Sequence, residues 1–333
     1  GVNVGPVELP VDTARPQRDY ITESDLRYRG AWLVIDEFNR AHIDAAFGSL
    51  LTTLSGKFGT TLAVPARGSE VTELRMPDDF RIIGTLNSFD RHFLNQISEA
   101  LKRRFDFIDI LPPRPDRYEQ ELVISMQGAL GHLHRNKLGQ IELDAEGDYS
   151  WPGVIGFVRD GNRLELFVDN DAASVAIEDF RRIFAVIRFF RKLGTAQVVA
   201  VLTNLFTGVL VGMDWSDALD VALADSLADQ LQVLTPEEQG ILESYLEDAG
   251  QPASFAKAVQ AQLQGHRNRR SRVVSLLREA DILQNGSSPI DPQSDTPPTE
   301  AQLVALFRAT EPLHLPNGYF LRRLRDLNSD RGI

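Results

Sequence analysis

Trp32-Leu33-Val34-Ile35-Asp36-Glu37-Phe38-Asn39-Arg40-Ala41 is an apolar run that ends abruptly in two adjacent carboxylates. Its first four residues read as a buried strand, and open α/β sheets bind their ligands at the carboxyl ends of such strands. Two acids delivered together to that end suit a divalent cation and a water. One carboxylate holds Mg2+, directly or through water, while the other orients or deprotonates the water. The same letters also arise where a strand runs into an acidic helix N-terminus, so the pair takes its meaning from its company in the chain.

Phe80-Arg81-Ile82-Ile83-Gly84-Thr85-Leu86-Asn87-Ser88 is a second apolar strand that ends in a small polar cluster. An Asn there has both donors and acceptors to hold a water or a phosphate oxygen, or to close a turn. Leu101-Lys102-Arg103-Arg104-Phe105-Asp106-Phe107 then sets paired arginines at the end of a helical pattern over 93–104, before a third strand expected over 105–110. Arginines late in a helix oppose its dipole whatever else they do. The series Asp-Glu-x-Asn-Arg-Ala, Gly-Thr-x-Asn-Ser and Leu-x-Arg-Arg-Phe, in this order and spacing over residues 25–112, resembles the AAA+ ATPases. Within them it is most similar to the branch that contains the McrB restriction motor and the MoxR chaperones.

The resemblance implies an α/β fold: a P-loop-type parallel sheet in the order 5-1-4-3-2, followed by an all-helical lid and a C-terminal helical extension. It implies that Asp36 binds Mg2+ and that Glu37 activates water, as the Walker B pair. It makes Asn87 the sensor 1 residue, touching the nucleotide's terminal phosphate, and either Arg103 or Arg104 the arginine finger. Arg40 matches the family's Asn-Arg-Ala arginine, whose role stays open. A finger acts in trans, because its guanidinium stabilises charge on the phosphoryl group held by a neighbour. The implied active unit is therefore a ring oligomer, a hexamer, using ATP or GTP with Mg2+.

One expected part is absent: the 333 residues contain no Gly-x-x-x-x-Gly-Lys-Ser/Thr loop to cradle phosphates. The expectation is a partner segment, the N-terminal part of the AAA+ domain, that carries the loop and the strand before it. Without it the sheet is incomplete, leaves backbone groups unpaired, and the chain is expected to be inactive alone. Retention of Glu37, Asn87 and the arginines argues against a decayed, nucleotide-free scaffold. The resemblance thus leaves open a nucleic-acid-directed motor of restriction or phage defence, with a nuclease subunit and DNA as partners, a protein-remodelling chaperone with a von Willebrand A-like partner, and a catalytically silent scaffold subunit.

Composition bounds these readings. A chain that is 43% hydrophobic and 25% charged can build more than one core. No stretch is apolar enough to span a membrane and no signal peptide opens the chain, so a cytoplasmic protein without a membrane partner is expected. Zero cysteines exclude disulfides, thiolate catalysis and cysteine zinc sites. Of the six histidines, His132 and His134 are two apart and diverge on a helix, so they make no metal pattern. A net charge of −12 disfavours broad nucleic-acid binding by this part of the molecule.

Five parts are expected along the chain: 1–113, the later part of the large α/β subdomain; 114–235, a connecting segment and mostly helical lid; 236–284, a helical extension; 285–298, a linker; and 299–333, a C-terminal helical segment. A helix is expected over 41–55, and a hairpin from strands at 60–64 and 71–76, where relatives of this branch carry pore-facing loops. Prolines at 112, 113 and 115 end the first part, since successive prolines suit neither helix nor ladder. Helical spacing of Ile177, Phe180, Ile183, Phe184, Ile187 and Phe190 opens the lid core. At Gly194-Thr195-Ala196-Gln197, Gln197 stands where the family's sensor 2 pattern has an arginine; Arg188 and Arg191 are the nearest that could substitute. Ser216 is the expected cap of the next helix, and Thr235-Pro236-Glu237-Glu238 a helix start. The basic cluster 266–272 lacks aromatics and reads as a charged helix segment.

Overall fold

The computed structural model describes residues 2–8, 20–21, 27–28, 32–37, 61–65, 71–75, 81–86, 103, 105–263, 267–285 and 298–329. The helices expected over 41–55 and 93–104, and the side chains of Arg40, Asn87 and Arg104, lie outside these residues. The chain divides into two units, one of residues 1–11 and 111–333, the other of residues 12–110.

In the smaller unit the strands pair in twos. β2 (Tyr20–Ile21) and β3 (Arg27–Tyr28) are antiparallel. β4 (Trp32–Ile35) and β7 (Arg81–Gly84) are parallel, whereas β5 (Thr61–Pro65) and β6 (Val71–Arg75) form the expected hairpin, with Thr61 opposite Arg75 and Pro65 opposite Val71. The strand expected over 105–110 is not one. Its backbone makes no ladder among the described residues, and Phe107, Ile108 and Ile110 are 52%, 84% and 94% exposed. Alternation in Phe-Asp-Phe-Ile-Asp-Ile suits a strand, but a strand also needs a neighbour to take its N–H and C=O groups, and no described strand lies beside this one.

The larger unit is mostly helical. β1 (Asn3–Glu8) pairs antiparallel with β11 (Arg163–Val168), which pairs in turn with β10 (Ile155–Asp160). Val4 is buried in this unit's core, and a register shift between Val4 and Val7 accommodates Gly5 and Pro6. β8 (Glu142–Leu143) and β9 (Tyr149–Ser150) make a second, short pair. Arg159 of β10 donates through Nε to Asp148 Oδ2 at 2.6 Å, and this carboxylate raises the pKa of the arginine.

A 3-10 turn at Pro115–Arg117 leads into α1 (Tyr118–Arg135). α2 (Asp171–Phe190) starts where Asn170 accepts the N–H of Ala173 at 2.9 Å, and buries Ile177, Phe180, Ile183, Phe184, Ile187 and Phe190 along one face as their spacing requires. α3 (Thr195–Leu210) packs on α1 and on α4 (Trp215–Leu227). α4 begins one residue before the expected cap: Asp214, not Ser216, is its N-cap, and Ser216 lies inside the first turn. α5 (Pro236–Asp248) has the full capping box, with Thr235 and Glu238 exchanging bonds of 2.8 and 3.3 Å. α6 (Pro252–Leu263) and α7 (Arg267–Asn285) follow.

The last two helices, α8 (Glu300–Phe307) and α9 (Tyr319–Ser329), find their seats within the chain: α8 on α6, and α9 on α4 and α5. Two buried carboxylates hold the approach to α9. Asp220, fully buried on α4, accepts the N–H groups of Tyr319 and Phe320 at 2.7 and 2.9 Å and so caps α9 from another helix. Asp179 on α2 accepts the His314 N–H at 2.7 Å and meets His314 Nδ1 at 3.0 Å, while Arg182 donates to the Pro312 carbonyl at 3.1 Å.

Gly250 permits this approach. A Cβ there would lie 2.8 Å from the nitrogen and 2.9 Å from the Cα of Pro312, which are backbone atoms unable to swing aside. Gly250→Ala is therefore expected to destabilise the protein by about 1–3 kcal/mol and to loosen residues 310–329. Limited proteolysis mapped by mass spectrometry checks this; unchanged protection of that segment would contradict it.

Candidate functional site

Parallel pairing aligns the carboxyl ends of β4 and β7. The register runs Trp32 to Arg81, Leu33 to Ile82, Val34 to Ile83 and Ile35 to Gly84, and one further bond, Thr85 N–H to Ile35 C=O at 3.0 Å, extends it. Asp36 and Glu37 thus emerge in a turn beside Thr85, all three exposed. The Thr85 hydroxyl accepts the Glu37 N–H at 3.0 Å and donates to Asp36 Oδ1, which also accepts the Glu37 N–H at 3.2 Å. Among the described residues Asp36 Oδ2 has no partner. Glu37 has φ of +51°, the left-handed region, which costs a residue with a Cβ about 1–2 kcal/mol; the paired N–H holds it there.

The donor chemistry fits a magnesium ion carried by a nucleotide. Mg2+ takes one or two carboxylates together with phosphates and water, and Asp36 offers one outward carboxylate next to a second acid. No group of three or more His, Asp or Glu among the described residues has the arrangement of an all-protein metal site. Arg103 is exposed in a turn. Asn87 and Arg104 are not described, so the structure brings together Asp36, Glu37 and a residue not singled out by sequence, Thr85. The signals for Thr85 were its place in the polar cluster that closes β7 and in the Gly-Thr-x-Asn-Ser series, neither of which gave it a role.

In the larger unit the expected sensor 2 position has a structural occupation. Gln197 Oε1 accepts the Gly194 N–H at 3.1 Å and caps α3. Arg188 is committed elsewhere: it grips both oxygens of Glu121 at 2.6 and 2.7 Å, donates to Leu193 C=O at 3.1 and 3.0 Å, and lies between the Tyr118 and Phe184 rings at 4.7 and 4.5 Å. Thr195 adds a bond to Glu121 Oε1 at 2.8 Å. Burial raises the Tyr118 phenol above its ordinary pKa, opposed by the adjacent arginine. A cleft of about 430 Å3 opens along Tyr118, Phe184 and Phe189, but Arg181, Arg182 and Arg188 on its wall already serve Glu178, backbone carbonyls and Glu121. The larger unit thus folds with Arg188 as a joint between α1, α2 and α3 rather than as a cation offered to a ligand.

No helix among the described residues is long and apolar enough to cross a membrane. Residues 4–105 match the family model of the AAA domain, dynein-related subfamily. No curated protein and no solved structure matches the chain. The matched stretch carries Asp36, Glu37, Asn87, Arg103 and Arg104 together with the β4–β7 pair, and it supports an AAA+ ATPase.

Proposed function

We propose that this chain belongs to a nucleoside triphosphate-driven AAA+ motor that works as a ring oligomer and is directed to nucleic acid, as McrB is. The observation that carries the reading is the acid pair at the carboxyl end of a parallel strand pair, within the stretch that matches the AAA domain. Asp36 holds the cation that accompanies the nucleotide; Glu37 takes a proton from the attacking water; Asn87 orients that water or the terminal phosphate; Arg103 or Arg104 reaches the phosphoryl group of the neighbouring subunit. When bound, Mg2+ neutralises charge that develops on the transferred group.

A segment supplying the phosphate loop and its strand completes the sheet. The exposed apolar faces of β4 favour this: Trp32 and Val34 on one face are 54% and 63% exposed and Leu33 on the other is 42% exposed, whereas parallel sheets are normally covered on both faces. The net charge of −12 directs DNA recognition to another domain or to a nuclease partner. The test is ATP and GTP hydrolysis by the full-length protein with Mg2+, with and without double-stranded DNA. Turnover raised by DNA is the expected result. Turnover indifferent to DNA but raised by a von Willebrand A-like partner moves the reading to a protein-remodelling chaperone, and no turnover with either nucleotide moves it to a scaffold subunit.

A further inference from the structure

We infer that Thr85 is a positioning residue for the acid pair, a latch whose single hydroxyl sets the orientation of Asp36 and of Glu37 together; the inference rests on the nucleotide-hydrolysing reading above. Three observations converge on it. The ladder places Thr85 beside Asp36 because Ile35 pairs with Gly84 and the Thr85 N–H continues the bonding to Ile35 C=O at 3.0 Å. The hydroxyl then serves both acids at once, donating to the Asp36 carboxylate and accepting the Glu37 N–H at 3.0 Å. Glu37 sits in the left-handed region at φ +51°, where a residue with a Cβ stays only if its surroundings hold it.

The consequence is directional. A hydroxyl has one proton to donate, and here it goes to Asp36 Oδ1, which leaves Oδ2 as the oxygen that no described residue engages. That oxygen is the one presented to a cation. The lone pair of the same hydroxyl fixes the Glu37 peptide, and so the direction in which the Glu37 side chain leaves the strand. Without the hydroxyl, Asp36 Oδ1 keeps only the 3.2 Å bond from the Glu37 N–H and the Glu37 N–H loses the shorter of its two acceptors, so both the carboxylate and the Glu37 backbone are held less firmly. Both acids then lose their relative placement while the chain keeps each of them.

The test uses the full-length protein and four variants. Thr85→Val and Thr85→Ala remove the hydroxyl, with and without the branched shape; Thr85→Ser keeps it; Glu37→Gln reports on the nucleotide reading itself. In the nucleotide-free protein, hydrogen exchange at the Glu37 amide is expected to accelerate in the valine and alanine variants and to stay near wild type in the serine variant. In hydrolysis, the valine and alanine variants are expected to raise the Mg2+ concentration needed for half-maximal turnover and to lower kcat, each by about 10–100-fold, as loss of a partner to a metal-binding carboxylate does. Nucleotide KM is expected to change little, and serine to rescue both.

Glu37 amide exchange unaltered by loss of the hydroxyl would overturn the latch. So would turnover that requires Glu37 yet keeps its wild-type Mg2+ dependence in both the valine and alanine variants, and in that case the nucleotide reading stands. If wild type and Glu37→Gln hydrolyse equally, or neither hydrolyses, the nucleotide reading falls and the role of Thr85 in it falls too.

Discussion

Glu37→Gln is expected to lower nucleotide turnover by about 100- to 10,000-fold, the range supplied by a general base, and to leave nucleotide binding intact. The side chains are nearly isosteric, so the β4 end and the bonds from Thr85 to the Glu37 N–H and to Asp36 persist. What is lost is the ability to take a proton from water, because an amide oxygen at neutral pH is a far weaker base than a carboxylate. In the proposed site Asp36 would still hold the cation, so binding of a nucleotide with Mg2+ should be retained and the bound state should accumulate. Steady-state hydrolysis and equilibrium binding of a fluorescent nucleotide check the two halves separately. Equal loss of both would mean that Glu37 contributes to binding. Unchanged turnover would reduce the acid pair to the polar end of a strand.

The largest expected effect on stability lies in the larger, mostly helical unit. Arg188 and Glu121 are 6% and 4% exposed at their side chains and bonded through two contacts at 2.6 and 2.7 Å. Arg188→Ala leaves the Glu121 carboxylate buried with the Thr195 hydroxyl, frees the Leu193 carbonyl of its two guanidinium bonds and removes the packing against Tyr118 and Phe184. Breaking a buried pair on one side costs about 3–5 kcal/mol, which for a unit of this size lowers Tm by about 6–20 °C. The joint replacement Glu121→Leu with Arg188→Met is expected to recover much of that loss, since apolar groups of similar volume have no desolvation cost. Calorimetry of the two variants checks both expectations, and a loss under about 1 kcal/mol for Arg188→Ala would mean that the pair is screened as a surface pair is.

Local signals proved legible and relational ones did not. Thr235-Pro236-Glu237-Glu238 starts a helix because every bond in a capping box is made within a few residues, and α5 begins there. The apolar spacing of α2 is similarly self-contained. Thr85 shows the opposite case: its hydroxyl matters because Gly84 pairs with Ile35, and register between distant strands is not written in either strand. The segment 105–110 has the alternation of a strand but no described neighbour, so its apolar side chains stand in solvent. Gly5 and Pro6 hide β1 from a search for strand patterns, yet a bulge absorbs them and Val4 still reaches the core. At α4 the N-cap position falls on Asp214, two residues before Ser216, and is held without a side-chain capping bond, so the usual residue preference did not locate the start. Gln197 is informative in another way: the departure from the family pattern was visible, and the structure supplies the reason, since the amide caps α3.

The central claim, that one catalytic site is built from two subunits, is tested most directly by mixing. Full-length Glu37→Gln and full-length Arg103→Ala/Arg104→Ala are each expected to be inactive alone. Mixed before assembly, they should recover part of wild-type turnover, because some interfaces then join an intact Glu37 on one subunit to intact arginines on the next. No recovery from mixtures that demonstrably co-assemble, or full activity of the double arginine variant by itself, would contradict a site shared between subunits.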